Sequence, residues 1–174
     1  MPITRLNHAV LYVRNVDRSV AFYSDVLGFR RVDMTPEGFA GAAFLQAAGS
    51  ANDHDLGLFE IGAQAGASQA GRATVGLYHL AWEVDTLAEL DAVRDRLVAA
   101  GALVGASDHS TSKSLYGRDP DGIEFEVAWF VPAGLLDEAT LAGRKVGIRP
   151  LDLEQEKQRY GATTPGASSA VNPA

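Results

Sequence analysis

Residues 6–13 read Leu-Asn-His-Ala-Val-Leu-Tyr-Val, and residues 79–84 read His-Leu-Ala-Trp-Glu-Val. Each is an apolar, strand-like run with a histidine at its opening, and the segments after the two runs are also alike. After the first, Asp17 is predicted as a helix N-cap with Val16 ahead of it. Val20, Tyr23 and Leu27 then recur at helical spacing, and Gly28 is a natural stop. After the second, Thr86 and Glu89 form a capping-box pair, Leu90, Val93 and Leu97 make the apolar stripe, and Gly101 ends it. Three shorter strand-like runs complete each half, around 29–34, 41–46 and 55–61 in the first and around 103–106, 114–118 and 123–130 in the second. The chain therefore reads as two β-α-β-β-β modules, about 5–62 and about 75–131, joined by an Ala-, Gly-, Ser- and Gln-rich linker from Gly62 to Thr74. The fold class is α+β. A module of this kind covers one sheet face with its helix, and two copies placed together bury the other faces around a shared concavity suited to a ligand.

Composition bounds the rest. The chain has 174 residues, 47% hydrophobic and 21% charged, which is enough for a sizeable core and excludes wholesale disorder. A net charge of −7 with no long Lys/Arg run argues against a nucleic acid or a membrane as partner. No apolar stretch approaches the roughly 18 residues of a membrane span, and the N-terminus lacks a signal-peptide layout, so a cytoplasmic protein is expected. With no cysteine there is no disulfide, thiolate metal site or thiol nucleophile. Residues 1–133 are expected to form a single catalytic domain, 134–160 a C-terminal helical extension, and the uncharged residues 161–174 a disordered tail.

The chain has four histidines: His8, His54, His79 and His109. An isolated histidine in an apolar strand is ordinarily a hydrogen-bonded core residue, but His8 and His79 occupy equivalent places in the two modules. In the last strand of module 2, alternation puts Ile123, Phe125, Val127 and Trp129 on one face and Glu124, Glu126 and Ala128 on the other. An acid pointing inward there is accounted for by metal coordination; a solvated edge strand is the competing reading. Two imidazoles and one carboxylate make the facial triad of non-haem Fe(II) enzymes, although ligand type alone also admits Zn(II) or Mn(II). In module 1, His54 and Glu60 share a face but stand six residues apart, roughly 20 Å along an extended strand, so one metal does not take both. Counted from the helix-stop glycines, Glu126 lies 25 residues after Gly101, and His54 and Glu60 lie 26 and 32 after Gly28, which makes His54 the expected counterpart of Glu126.

The segments HAVLYV (8–13), AFYSDVLGF (21–29), GLYHLAWEV (76–84) and DPDGIEFEV (119–127) resemble the vicinal oxygen chelate superfamily of glyoxalase I, extradiol dioxygenases and bleomycin- or fosfomycin-resistance proteins. The resemblance covers roughly residues 5–131 and is greatest to single-domain extradiol, catechol 2,3-dioxygenase-like members. It implies tandem βαβββ modules forming a cupped, partly open mixed β-sheet barrel around a metal. It also implies His8, His79 and Glu126 as ligands of Fe(II), with Mn(II) as the variant, and a catechol-type aromatic diol and O2 as substrates. By the same likeness His54 is the acid–base beside the O2 site, while His109 and Tyr116, ten residues before Glu126, hydrogen-bond the substrate. A homodimer working in aromatic-compound catabolism is the matching expectation. The fold hosts other chemistries. A glyoxalase-like isomerase would add Glu60 as a fourth ligand and use Ni(II) or Zn(II), and a drug-binding resistance protein would use no metal. Phe44, Leu56 and Leu58 are the apolar candidates for the pocket, with Trp82 assigned to the core.

Overall fold

The computed structural model describes residues 2–34, 40–70 and 73–167. Contacts divide the chain into two compact units, Met1–Gln69 with Asp119–Ile123, and Ala70–Arg118 with Glu124–Ala174. The break at Gln69/Ala70 falls inside the stretch read as a linker.

In the first unit, β1 (Ala9–Val13) leads into α1 (Val16–Leu27), followed by β2 (Arg30–Val32), β3 (Ala42–Gln46) and β4 (Leu56–Glu60). Asn15, rather than Asp17, caps α1: its side chain accepts the Arg18 N–H at 2.8 Å. Asp17 instead lies in the first turn, where its charge complements the positive end of the helix. The buried face is Val16, Ser19, Tyr23 and Val26, one step round the helix from the stripe the apolar spacing suggests. Gly28 ends α1 with φ 76°, its N–H returning to the Ser24 carbonyl. The strands form a sheet in the order β1-β4-β3-β2, with β1 parallel to β4 and the other pairs antiparallel. Leu11, Val13, Tyr23, Val26, Leu45, Leu56 and Leu58 fill its core.

The second unit repeats this plan with β5 (Leu80–Glu83), α2 (Leu87–Ala99), β6 (Leu103–Asp108), β7 (Ser112–Arg118) and β8 (Glu124–Phe130). The capping box of Thr86 and Glu89 forms, and Leu87, Leu90, Val93 and Leu97 make the buried stripe of α2. The sheet order is β5-β8-β7-β6, again with its first and last strands parallel, and the two-residue strand β9 (Arg149–Pro150) extends the β6 edge. The chain is thus α+β, with two βαβββ modules whose sheets mix strand directions and do not close on themselves. Gly117 faces Phe125 across β7 and β8, and a Cβ at Gly117 would lie 2.5 Å from the Phe125 ring, so the close approach requires glycine. Among the described residues no helix is long and apolar enough to cross a membrane.

The C-terminal segment belongs to the second unit's core. After a 3-10 turn at Ala133–Leu135 come α3 (Glu138–Gly143), β9 and α4 (Leu153–Tyr160). Leu153 and Tyr160 are buried, and the Tyr160 ring lies 5.5 Å from that of Trp129. Beneath α4, the fully buried Lys113 places Nζ 2.5 Å from Asp108 and 3.0 Å from Glu156, and Arg149 reaches the other Asp108 oxygen at 2.7 Å. Burial alone would raise the Asp108 pKa, but Lys113, the Ser110 N–H and Arg149 outweigh it and hold the carboxyl below its usual range. Composition predicts a disordered tail from residue 161, yet 161–167 are tied down. The Ala88 N–H donates to the Ala162 carbonyl, Trp129 Nε1 to the Thr164 carbonyl, and the Gly166 and Ala167 N–H groups to Asp85 and Phe130. Small uncharged residues allow this close backbone approach, and composition alone does not distinguish that use from disorder. Residues 168–174 lie outside the described residues.

Removing Lys113 takes the cation from buried Glu156 and leaves Asp108 with Arg149 alone. Lys113→Met is therefore expected to lower stability by about 3–5 kcal/mol, read as a fall in the urea midpoint.

Candidate metal centre

In the second unit, His79 stands one residue before β5. The parallel register pairs Ala81 with Glu126, and β7 pairs Tyr116 with Glu126 from the other side. Because β8 is an interior strand, its alternation buries Phe125, Val127 and Trp129 on one face and leaves Glu126 half-buried on the other, which removes the solvated-edge reading. Glu126 Oε2 lies 3.2 Å from His79 Nε2. Tyr116 Oη is 2.8 Å from His109 Nε2, and the His79 and Tyr116 rings are 6.0 Å apart. The Tyr116 pKa is pushed up to about 12, first by burial and then by the Glu126 charge, so its phenol keeps its proton at working pH. His109 sits in the β6–β7 turn beside Ser110, whose left-handed φ of 69° is held by a hydrogen bond from its N–H to Asp108.

In the first unit, His8 also stands one residue before its strand, and it is exposed. Its Nδ1 lies 2.8 Å from Asn7 Oδ1, and its ring is 4.4 Å from that of His54. Phe44 meets the His54 ring edge-on at 5.1 Å. Asp53 Oδ1 is 3.0 Å from His54 Nδ1, outside hydrogen-bonding direction, and accepts the His54 backbone N–H at 2.8 Å. Leu56 and Leu58 are fully buried in the core.

Register corrects the expected counterpart of Glu126. Glu126 pairs with Ala81, two residues after His79; two residues after His8 is Val10, which pairs with Gly57. Neither His54 nor Glu60 occupies the equivalent place, because the loop before β4 changes the count from the helix. Phe44 pairs with Gly57 as Tyr116 pairs with Glu126. Glu60 has other work: its Oε2 accepts the Val16 N–H at 2.9 Å and lies 3.4 Å from Asn15 Nδ2, at the start of α1.

The structure therefore brings His79, Glu126, Tyr116 and His109 together in one unit and His8, His54 and Phe44 in the other. Among the described residues, no group of three or more His, Asp or Glu side chains is gathered in a metal-holding arrangement. The donor pair that does form fits a metal. Two ligands about 2.1 Å from one ion and at right angles stand about 3.0 Å apart, and the His79–Glu126 separation is 3.2 Å. His79 Nδ1 is buried without a hydrogen-bond partner. Asn7 was missed by sequence reasoning; its place beside His8 was the available signal.

Residues 5–127 match the profile of the Glyoxalase/Bleomycin resistance protein/Dioxygenase superfamily, and the chain belongs to that family. Among curated proteins, a catechol-2,3-dioxygenase of Bacillus subtilis (strain 168) is 31% identical over 131 residues, 71% of this chain and 41% of the relative. A manganese-dependent 2,3-dihydroxybiphenyl 1,2-dioxygenase of Geobacillus genomosp. 3 is 26% identical over 133 residues, 74% of this chain and 38% of the relative. The chain thus spans about two-fifths of the length of these relatives. Among solved structures, a glyoxylase/bleomycin resistance protein/dioxygenase domain from Frankia sp. EAN1pec aligns with TM-score 0.61 at 25% identity, covering 73% of this chain and 92% of that one. A lactoylglutathione lyase from Agrobacterium tumefaciens aligns with TM-score 0.52 at 26% identity, covering 74% and 95%.

As a helix-capping acid, Glu60 is expected to be dispensable for metal. Glu60→Gln should lower stability by about 0.3–1 kcal/mol in urea titration while Mn(II) stoichiometry by equilibrium dialysis stays unchanged.

Proposed function

We propose that the chain is an extradiol ring-cleaving dioxygenase that uses Fe(II) or Mn(II) to cleave a catechol-type aromatic diol with O2. The observation that carries this reading is the line of polar groups in the second unit, from His79 through Glu126 to Tyr116 and His109. The likeness to a catechol-2,3-dioxygenase and a manganese-dependent 2,3-dihydroxybiphenyl 1,2-dioxygenase supports it. His8, His79 and Glu126 are the ligands in this reading. Held by them, such a metal would supply Lewis acidity toward a chelating diol, favouring its deprotonated form.

The protein's own groups have distinct tasks. Tyr116 keeps its phenolic proton and donates it in a hydrogen bond to a diol oxygen, and His109 fixes the phenol's direction from behind. His54, its ring tilted 40° against that of His8 at 4.4 Å, takes a proton from the diol hydroxyl and returns it as the ring opens. Phe44 fixes the His54 ring from its edge. Both atoms of O2 enter the product, a ring opened beside the diol. The isomerase reading needs Glu60 as a ligand, and Glu60 is engaged at the α1 N-terminus.

Anaerobic Fe(II) loading followed by air and a panel of monocyclic and bicyclic catechols is expected to give one O2 consumed per diol and a yellow product. His79→Ala should lose both iron and turnover. His54→Phe should keep iron and diol binding yet lose turnover about 10²–10⁴-fold. No O2 uptake across the panel, with iron bound, would contradict the proposal.

A further inference from the structure

A neutral imidazole carries its proton on one nitrogen and its lone pair on the other, and only the lone pair binds a metal. For His8 that choice is linked to a line of side chains in the first unit that starts at a buried carboxylate. Asp55 accepts the Ala47 N–H at 2.8 Å and the Ser50 hydroxyl at 2.7 Å. A carboxylate only accepts, so the Asn52 group 2.7 Å from Asp55 Oδ1 is the amide nitrogen, Nδ2. The same Nδ2 donates to the Asn7 backbone carbonyl at 2.8 Å. Asn52 Oδ1 is thereby turned the other way, where it accepts from the Arg5 guanidinium at 2.5 Å and from Asn7 Nδ2 at 3.4 Å. With its nitrogen facing Asn52, Asn7 turns its own oxygen to His8 Nδ1 at 2.8 Å. An amide oxygen only accepts, so Nδ1 carries the proton and the lone pair falls to Nε2.

We infer that Asn52 and Asn7 are positioning residues: the donor–acceptor order set at Asp55 runs through both amides and holds His8 in the Nδ1–H tautomer, with Nε2 presented as a metal ligand. This inference rests on His8 being a ligand. Hydrogen-bond partners of ligating histidines fix tautomer and ring orientation in this way, and their loss typically weakens metal binding about 10–100-fold. In the second unit His79 has no hydrogen-bond partner at Nδ1, so the device belongs to the first module alone.

Two measurements on the 174-residue chain test it. Long-range proton–nitrogen correlation spectra of the metal-free, histidine-labelled protein above the imidazole pKa report the tautomer of each ring. Wild type and Asn7→Asp, which keeps an acceptor beside Nδ1, should show His8 protonated at Nδ1; Asn7→Leu should shift it toward Nε2–H, and Asn52→Leu should do so in part. Mn(II) affinity should fall about 10–100-fold in Asn7→Leu and recover in Asn7→Asp. A purely structural role for Asn7 would not be rescued by the charged variant. His8 protonated at Nε2 in wild type, or a tautomer unmoved by Asn7→Leu, overturns the inference. His8→Ala separates the two readings. Mn(II) binding lost in His8→Ala but intact in Asn7→Leu overturns the relay and leaves the ligand assignment standing. Binding unchanged in His8→Ala overturns the ligand assignment, and the tautomer spectra then judge the relay by themselves.

Discussion

In the second unit, the parallel pairing of β5 with β8 determines what chemistry the sheet can present. Parallel neighbours need a long crossover, here α2, β6 and β7, and the pairing they reach sets Ala81 against Glu126. With that register, the residue just before β5 stands beside an inward-facing carboxylate of β8, and His79 comes within 3.2 Å of Glu126. A slip of one residue would turn Glu126 to the opposite face and put Phe125 or Val127 in its place. The Phe125 ring lying across Gly117 and the fully buried Trp129 both oppose such a slip. Packing on one face of β8 thus holds the register on which the polar face depends.

The same architecture in the first unit carries different groups. Gly57 and Phe44 occupy the places taken in the second unit by Glu126 and Tyr116. The first module accordingly offers an imidazole pair beside an aromatic ring, and the second an imidazole, a carboxylate and a phenol. Repetition preserved the backbone plan while the side chains on the equivalent face diverged, so one module is not a chemical copy of the other.

Much of this was legible in the sequence because it rests on short-range patterns. The Thr86–Glu89 capping box, the stripe of α2, the glycine stops and the alternation along β8 are each set by residues within a few positions of one another. Of the misread features, the α1 cap is local, with Asn15 accepting the Arg18 N–H three residues on, and the others depend on longer-range pairing. Asn15 displaced Asp17 as the α1 cap, and the turn of buried positions on α1 followed the sheet it packs on. The counterpart of Glu126 was misassigned because a count along the chain does not register a longer loop before β4. Residues 161–167 looked unstructured by composition and are held by backbone hydrogen bonds that no local pattern announces. Among the site residues, pairing of His79, Glu126, Tyr116 and His109 follows from strand register. The Asn7–Asn52 link spans forty-five positions and became visible only with the fold.

The proposed function assigns His8, His79 and Glu126 to one divalent ion. Anomalous diffraction from crystals of the Mn(II)-loaded protein tests it most directly. A single strong peak is expected, bonded to Nε2 of His8, Nε2 of His79 and a carboxylate oxygen of Glu126, at metal–ligand distances of about 2.0–2.3 Å. A peak bonded to His79 and Glu126 without His8, or to a different set of side chains, would contradict it.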